Sequence, residues 1–184
     1  GLNDAAAVGI VEKVISFLFL VPSSMLSSVS ALGAQNFGAG KPERAVETLK
    51  YAIMIAVGFG LTVAVVIQFA ADPVVSLFTD NGTVIHSGDQ YLRGYIWDCV
   101  FAGIHFSFSG YFCACQKSGL SFLHNITAIV LVRVPGVYLM SKLFSDTLYF
   151  MGLATAAGSL LSVIICVIAF TILLKKEREN KAFR

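Results

Sequence analysis

Residues 46–71 read Val-Glu-Thr-Leu-Lys-Tyr-Ala-Ile-Met-Ile-Ala-Val-Gly-Phe-Gly-Leu-Thr-Val-Ala-Val-Val-Ile-Gln-Phe-Ala-Ala. After Lys50 the run carries no charge, and it is too long and too continuous for a strand of alternating polarity. About 20 such residues at 1.5 Å each cross the roughly 30 Å of a bilayer's hydrocarbon. The stretch therefore predicts a membrane-spanning helix. Four further runs share its character, giving five segments at about 5–36, 46–71, 90–115, 122–141 and 148–174.

The rest of the 184 residues agrees. Hydrophobic residues make up 57% and charged residues 13%, with a mean hydropathy of +0.79, whereas soluble domains carry about 25% charge. A soluble globular enzyme is excluded, and the fold class is an all-α, polytopic integral membrane bundle. A net charge of +2, spread along the chain, gives no footprint for nucleic acid. Cys99, Cys113, Cys115 and Cys166 all fall in apolar stretches without disulfide or zinc-finger spacing, and read as reduced packing residues. The chain opens at Gly1 with neither Met nor a signal peptide, which reads as an internal piece of a longer protein.

Polar punctuation separates the segments: Gly38-Ala39-Gly40-Lys41-Pro42, Asp80-Asn81-Gly82, Gln116-Lys117-Ser118-Gly119 and Ser145-Asp146. Basic residues give the orientation, because they are retained on the cytoplasmic side. Nine of the thirteen Lys and Arg lie on one side: Lys41, Arg44, Lys50, Lys117, Lys175, Lys176, Arg178, Lys181 and Arg184. Arg93 and Lys142 lie on the other, and Lys13 and Arg133 fall within helices. The loops at 38–45 and 116–120 and the basic tail at 175–184 are thus expected in the cytoplasm, and 72–89 outside.

Ionisable groups at membrane depth cost roughly 2.5–3.5 kcal/mol on insertion scales and mark candidate sites. Asp98, Ala102, His105 and Ser109 share one helical face, being 4, 7 and 11 residues apart. That polar stripe on a Phe-rich helix must face a bundle interior or a watery cleft. It reads either as a buried Asp and His satisfied by neighbouring helices or as a proton or cation site. Glu12 and Lys13 are adjacent and about 100° apart on their helix, so each needs a partner elsewhere. Arg133 is the deepest permanent cation and is set to neutralise Asp98 or Glu12, or to serve substrate or gating directly. His86 and His124 lie near helix ends and read as structural. With His105 they are 19 residues apart, far from metal-ligand spacing, so no metal site is proposed. Pro22 interrupts the first segment ahead of Ser23, Ser24, Ser27, Ser28 and Ser30, whose hydroxyls are able to bond freed carbonyls. It is either a static kink or a hinge. In the last segment Gly152, Ala154, Thr155, Ala156, Gly158 and Ser159 form small-xxx-small pairs for close helix packing.

Residues 34–45, Ala-Gln-Asn-Phe-Gly-Ala-Gly-Lys-Pro-Glu-Arg-Ala, with Gln35, Asn36, Gly38, Gly40 and Arg44 as the motif, follow the Pro22 and Ser-rich helix. Together they resemble the second-helix end and cytoplasmic loop of a lobe in the MATE family, the multidrug and toxic compound extrusion transporters. Tyr95-Ile96-Trp97-Asp98 through Ser109-Gly110-Tyr111 to Gln116-Lys117-Ser118 is similar to that lobe's fourth helix, and Arg133-Val134-Pro135 to its fifth. The resemblance covers essentially the whole chain. It implies residues 1–184 as helices 8–12 of a twelve-helix, two-lobe antiporter, the C-terminal lobe without its first helix. It implies a multi-pass protein of the cell membrane, with its C-terminus in the cytoplasm. Such a protein exchanges organic, often cationic, drug-like compounds for H+ or Na+ by alternating access. Its partners are small molecules, membrane lipid and the N-terminal lobe, with no cofactor beyond the coupling ion. One departure stands out: aligned on Ser109-Gly110, the family's fourth-helix acid falls at Ala102, and Asp98 lies one turn further out on the same face. A lipid-linked oligosaccharide flippase of the same superfamily and a structural membrane subunit are the rival readings. An intramembrane enzyme is not supported, for the sequence has no paired aspartates, Gly-x-Ser-x-Gly or His-Glu-x-x-His.

Overall fold

The computed structural model describes residues 1–182, all helix and connection with no strand among them. The first apolar segment becomes α1 (Leu2–Leu18) and α2 (Leu20–Gly38), broken at Phe19. Pro22 is the cause, since it has no N–H to give the Leu18 carbonyl one turn back. The break falls just upstream, so that Pro22 sits in the tolerated first turn of α2. Ser23 and Ser24 bond carbonyls as expected, but those of Leu20 and Val21 (3.1 and 2.8 Å), not the one that proline frees.

The 34–45 motif is a helix stop and restart. Gly40 takes φ +71°, and the Gly40 and Lys41 amides donate to the Phe37 and Asn36 carbonyls at 3.0 and 2.9 Å. This closes α2 in a Schellman turn, for which glycine at positive φ is the ordinary choice. Pro42 then opens α3 (Pro42–Ser76). The connection after the helix that ends at Ala114 repeats the geometry with Gln116 at φ +60° and a 2.8 Å bond from the Lys117 amide to the Phe112 carbonyl.

Helix α3 is longer than its apolar core and continues past Pro73, so the connection expected at 72–89 shrinks to 77–81. Asn81 caps α4 (Gly82–Tyr95) by accepting from the Thr83 and Val84 amides. The third segment, read as one helix over 90–115, is two: α4, then α5 (Asp98–Ala114), separated by a tightened turn in which Cys99 and Val100 donate three residues back to Ile96 and Trp97. The fourth consists of α6 (Ser118–Ala128), a π segment (Ile129–Arg133) and α7 (Val134–Leu143). Here Pro135 cannot donate to the Leu131 carbonyl, and the widened turn lies just before it. Helix α8 (Tyr149–Ala182) runs on through Lys175 and Lys176, so the expected basic tail is helical as far as it is described. Phe183 and Arg184 lie outside the described residues.

Among the described residues, four spans are long and apolar enough to cross a membrane: Leu2–Gly38, Pro42–Ser76, Ser118–Leu143 and Tyr149–Lys176. Large side chains such as Phe17, Phe69, Leu131 and Ile168 lie exposed along them, as lipid contact requires. Helix α5 is the axis of the bundle, buried along most of its length. Small residues let neighbours approach it: a Cβ on Gly110 would meet the Leu26 carbonyl oxygen at 2.5 Å, and one on Gly103 the Ala56 side chain at 2.7 Å. The small-residue pairs of α8 do the same, with Gly152 against the Tyr91 and Tyr95 backbone and Gly158 against Arg133. All four cysteines are free, Cys99 and Cys166 being buried.

Candidate functional site

The face of α5 read from spacing is buried, as is most of the rest of that helix. Asp98, Ala102, His105 and Ser109 are 0%, 1%, 6% and 3% exposed. Asp98 opens α5 at the break from α4, and Arg133 closes the π segment. The two meet there: an Arg133 Nη2 donates to Asp98 Oδ2 at 2.6 Å and to Ser159 Oγ on α8 at 3.4 Å. Of the partners open to Arg133 from sequence, the structure selects Asp98. Burying a carboxylate is tolerated only beside such a partner.

Glu12 lies apart. It is exposed on α1 and accepts from the Tyr91 hydroxyl of α4 at 3.2 Å. Lys13 is exposed as well. Ser109, about three turns along α5 from Asp98, bonds to a residue that the sequence did not place in the site. His124 of α6 is buried, not interfacial, with one ring nitrogen 2.8 Å from Ser109 Oγ and the other 3.2 Å from Ser162 Oγ. Ser162 also donates to the His124 backbone carbonyl. Nothing in the local sequence marks His124 as buried, because its partners come from two other helices.

Asp98, His105 and Arg133 line one cavity of about 190 Å³ together with Phe19, Asn125, Ser159 and Ser162. Three irregular points of the backbone thus converge on it: the α1–α2 break, the start of α5 and the π segment. Among the described residues, Asp98 Oδ1 and His105 Nδ1 are the buried side-chain polar atoms without a hydrogen bond; Ser159, although beside the carboxylate, does not reach Oδ1 in bonding geometry. Two buried polar atoms left unsatisfied on residues that line one cavity are unusual in a folded interior, and they make this cavity the candidate site.

The sequence profile of the MatE family matches residues 1–139, which takes in the helix-stop motif, Asp98 and Arg133. The chain belongs to the MatE family. MatE proteins are membrane transporters, and this chain is accordingly an integral membrane protein. It is also similar to a curated protein of Shewanella oneidensis named FAD transporter, with 28% identity over 135 residues, 72% of this chain. The match covers 29% of that relative, so this MatE chain spans well under half of the relative's length.

Proposed function

We propose that the chain is the C-terminal lobe of a secondary active transporter that exchanges organic compounds for H+ or Na+ by alternating access, with Asp98 as an ion-coupling carboxylate. The observation that carries this reading is a fully buried carboxylate, one oxygen paired with Arg133 and the other buried without a hydrogen bond, on a residue that lines a polar cavity, in a chain of a transporter family. A carboxylate so placed is able to trade its arginine for a proton or cation when the helices around the cavity shift. A flippase for pyrophosphate-linked lipids calls for several cavity cations, and Arg133 is the single basic residue among those lining this one. The substrate class spans the cationic compounds typical of such antiporters and the organic anion named for the Shewanella relative. The same proposal places the Gly40 and Gln116 turns in the cytoplasm of a cell-membrane protein.

The test is substrate flux in vesicles of the full-length transporter with and without an imposed pH or sodium gradient. Wild type should follow the gradient, and Asp98→Asn, which keeps hydrogen bonding but exchanges no proton at neutral pH, should abolish gradient-driven flux while remaining inserted. Gradient-independent flux in wild type would remove the antiport reading. Labelling of a cysteine placed at Lys117 by an impermeant thiol reagent reads the orientation in the same vesicles.

A further inference from the structure

Arg133 has five N–H donors. One nitrogen serves Asp98 and Ser159, while the side chain remains 33% exposed beside a carboxylate that is 0% exposed. Its open side does not face the polar cavity alone. Arg133 also forms the end of a separate groove of about 440 Å³ whose other walls are Val134, Val137, Tyr138 and Ser141 of α7 and Met151 of α8. The α7 residues are spaced at helical intervals, so the groove is one continuous face of that helix. A second cation lies beside one of its walls, with Lys142 Nζ 5.9 Å from the centre of the Tyr138 ring. None of the lining residues is acidic. Of the carboxylates around it, Asp98 is buried behind Arg133, Glu12 is bonded to Tyr91, and Asp4, in an adjoining cavity that shares Ser141 and Met151, is bonded to Ser87 and the Gly1 amine.

An apolar and aromatic trough with a cation at one end and another over its ring is complementary to a ligand of the opposite pattern. We propose that this groove binds a soluble organic anion with a flat apolar body, its carboxylate or phosphate oxygens taking the Arg133 donors that Asp98 leaves open. Planar two-oxygen anions suit the guanidinium because they accept from two N–H groups at once. Asp98 acts here as a positioning residue, holding the guanidinium so that its remaining donors face the groove. As a substrate site the groove rests on the transport reading above, but binding is measurable without transport.

The experiment is equilibrium binding to the full-length protein in nanodiscs of zwitterionic lipid, with three radiolabelled probes of one ring system: naphthalene-2-carboxylate, the neutral naphthalene-2-carboxamide and the cationic 2-naphthyltrimethylammonium. The carboxylate should bind about tenfold or more tightly than the amide, the scale of one charge-assisted contact. Arg133→Gln should erase that preference. Because this variant leaves Asp98 unpaired, the double variant Arg133→Gln with Asp98→Asn is measured beside it and should show the same loss. Equal binding of carboxylate and amide, preference for the cation, or a carboxylate preference that survives both variants would overturn the site. So would displacement of the carboxylate by phosphatidylglycerol in the nanodisc, which would assign the groove to anionic lipid. Carboxylate binding lost with Arg133 but without gradient-driven flux in vesicles would sustain the site and remove the transport reading. Flux without any carboxylate preference would do the reverse.

Discussion

The bundle holds its two halves by different means. Around α5, helices α2 and α3 press backbone to backbone: glycines and alanines meet across the interfaces, and the residues between them are buried almost without interruption. The α6–π–α7 span has little of this. His124 and Ala128 are its buried residues, and the π segment and α7 have none. Besides the approach of Gly158 to Arg133 and of Gly136 to Ala154, that span is fastened by polar contacts: Arg133 to Asp98 and Ser159, and His124 to Ser109 and Ser162. Dispersion packing depends on shape and is released only by parting the helices. An ion pair or a hydrogen bond is released by changing one charge or proton. The bundle thus has one half held by close packing and one half whose attachment includes groups that respond to charge, with the polar cavity along the seam.

The largest effect is expected where the polar attachment is cut on one side only. Arg133→Gln leaves the fully buried Asp98 carboxylate without its counter-ion and should cost about 3–5 kcal/mol, read as a fall in the unfolding midpoint of the full-length protein in detergent. Adding Asp98→Asn should return most of the loss. A double variant no more stable than Arg133→Gln would show that the α6–α7 span is held by something other than this pair.

An intermediate effect is expected in the packed half. Gly110→Ala would push a methyl group into the Leu26 carbonyl, the Val29 side chain and the Ser30 amide, and should cost about 1–3 kcal/mol. Gly119→Ala, at the start of α6 with nothing within 4 Å, should instead gain about 0.4–1 kcal/mol by restricting the unfolded chain. Equal responses from the two glycines would erase the contrast between the halves.

The smallest change in stability, under about 1 kcal/mol, is expected from Pro22→Ala, which supplies the N–H for the Leu18 carbonyl. If the break at Phe19 bends during transport, joining α1 to α2 should slow turnover with affinity little changed. Transport rate normalised to folded protein, measured beside equilibrium binding, decides this. Unchanged turnover makes Pro22 a static kink.

Much of this was written in the chain. Uncharged runs of spanning length fix where the membrane is, since a charge or an open backbone group inside hydrocarbon costs several kcal/mol wherever the neighbours stand. Gly40 followed by Lys41 and Pro42 fixes a helix stop and restart, because positive φ and a missing N–H are properties of single residues. The 4, 7 and 11 spacing after Asp98 puts Ala102, His105 and Ser109 on one face with it, because helical period is local geometry, whereas burial of nearly all of α5 comes from its neighbours. The third dimension decided the rest. Arg133 had two carboxylates to choose from, and only the packing of the π segment against Gly158 brings it to Asp98 and not Glu12. His124 became a buried, doubly bonded ring because Ser109 and Ser162 arrive from helices far along the sequence. The break between α4 and α5 appears in no apolar run, for hydropathy measures what a helix is dissolved in and not whether it is continuous.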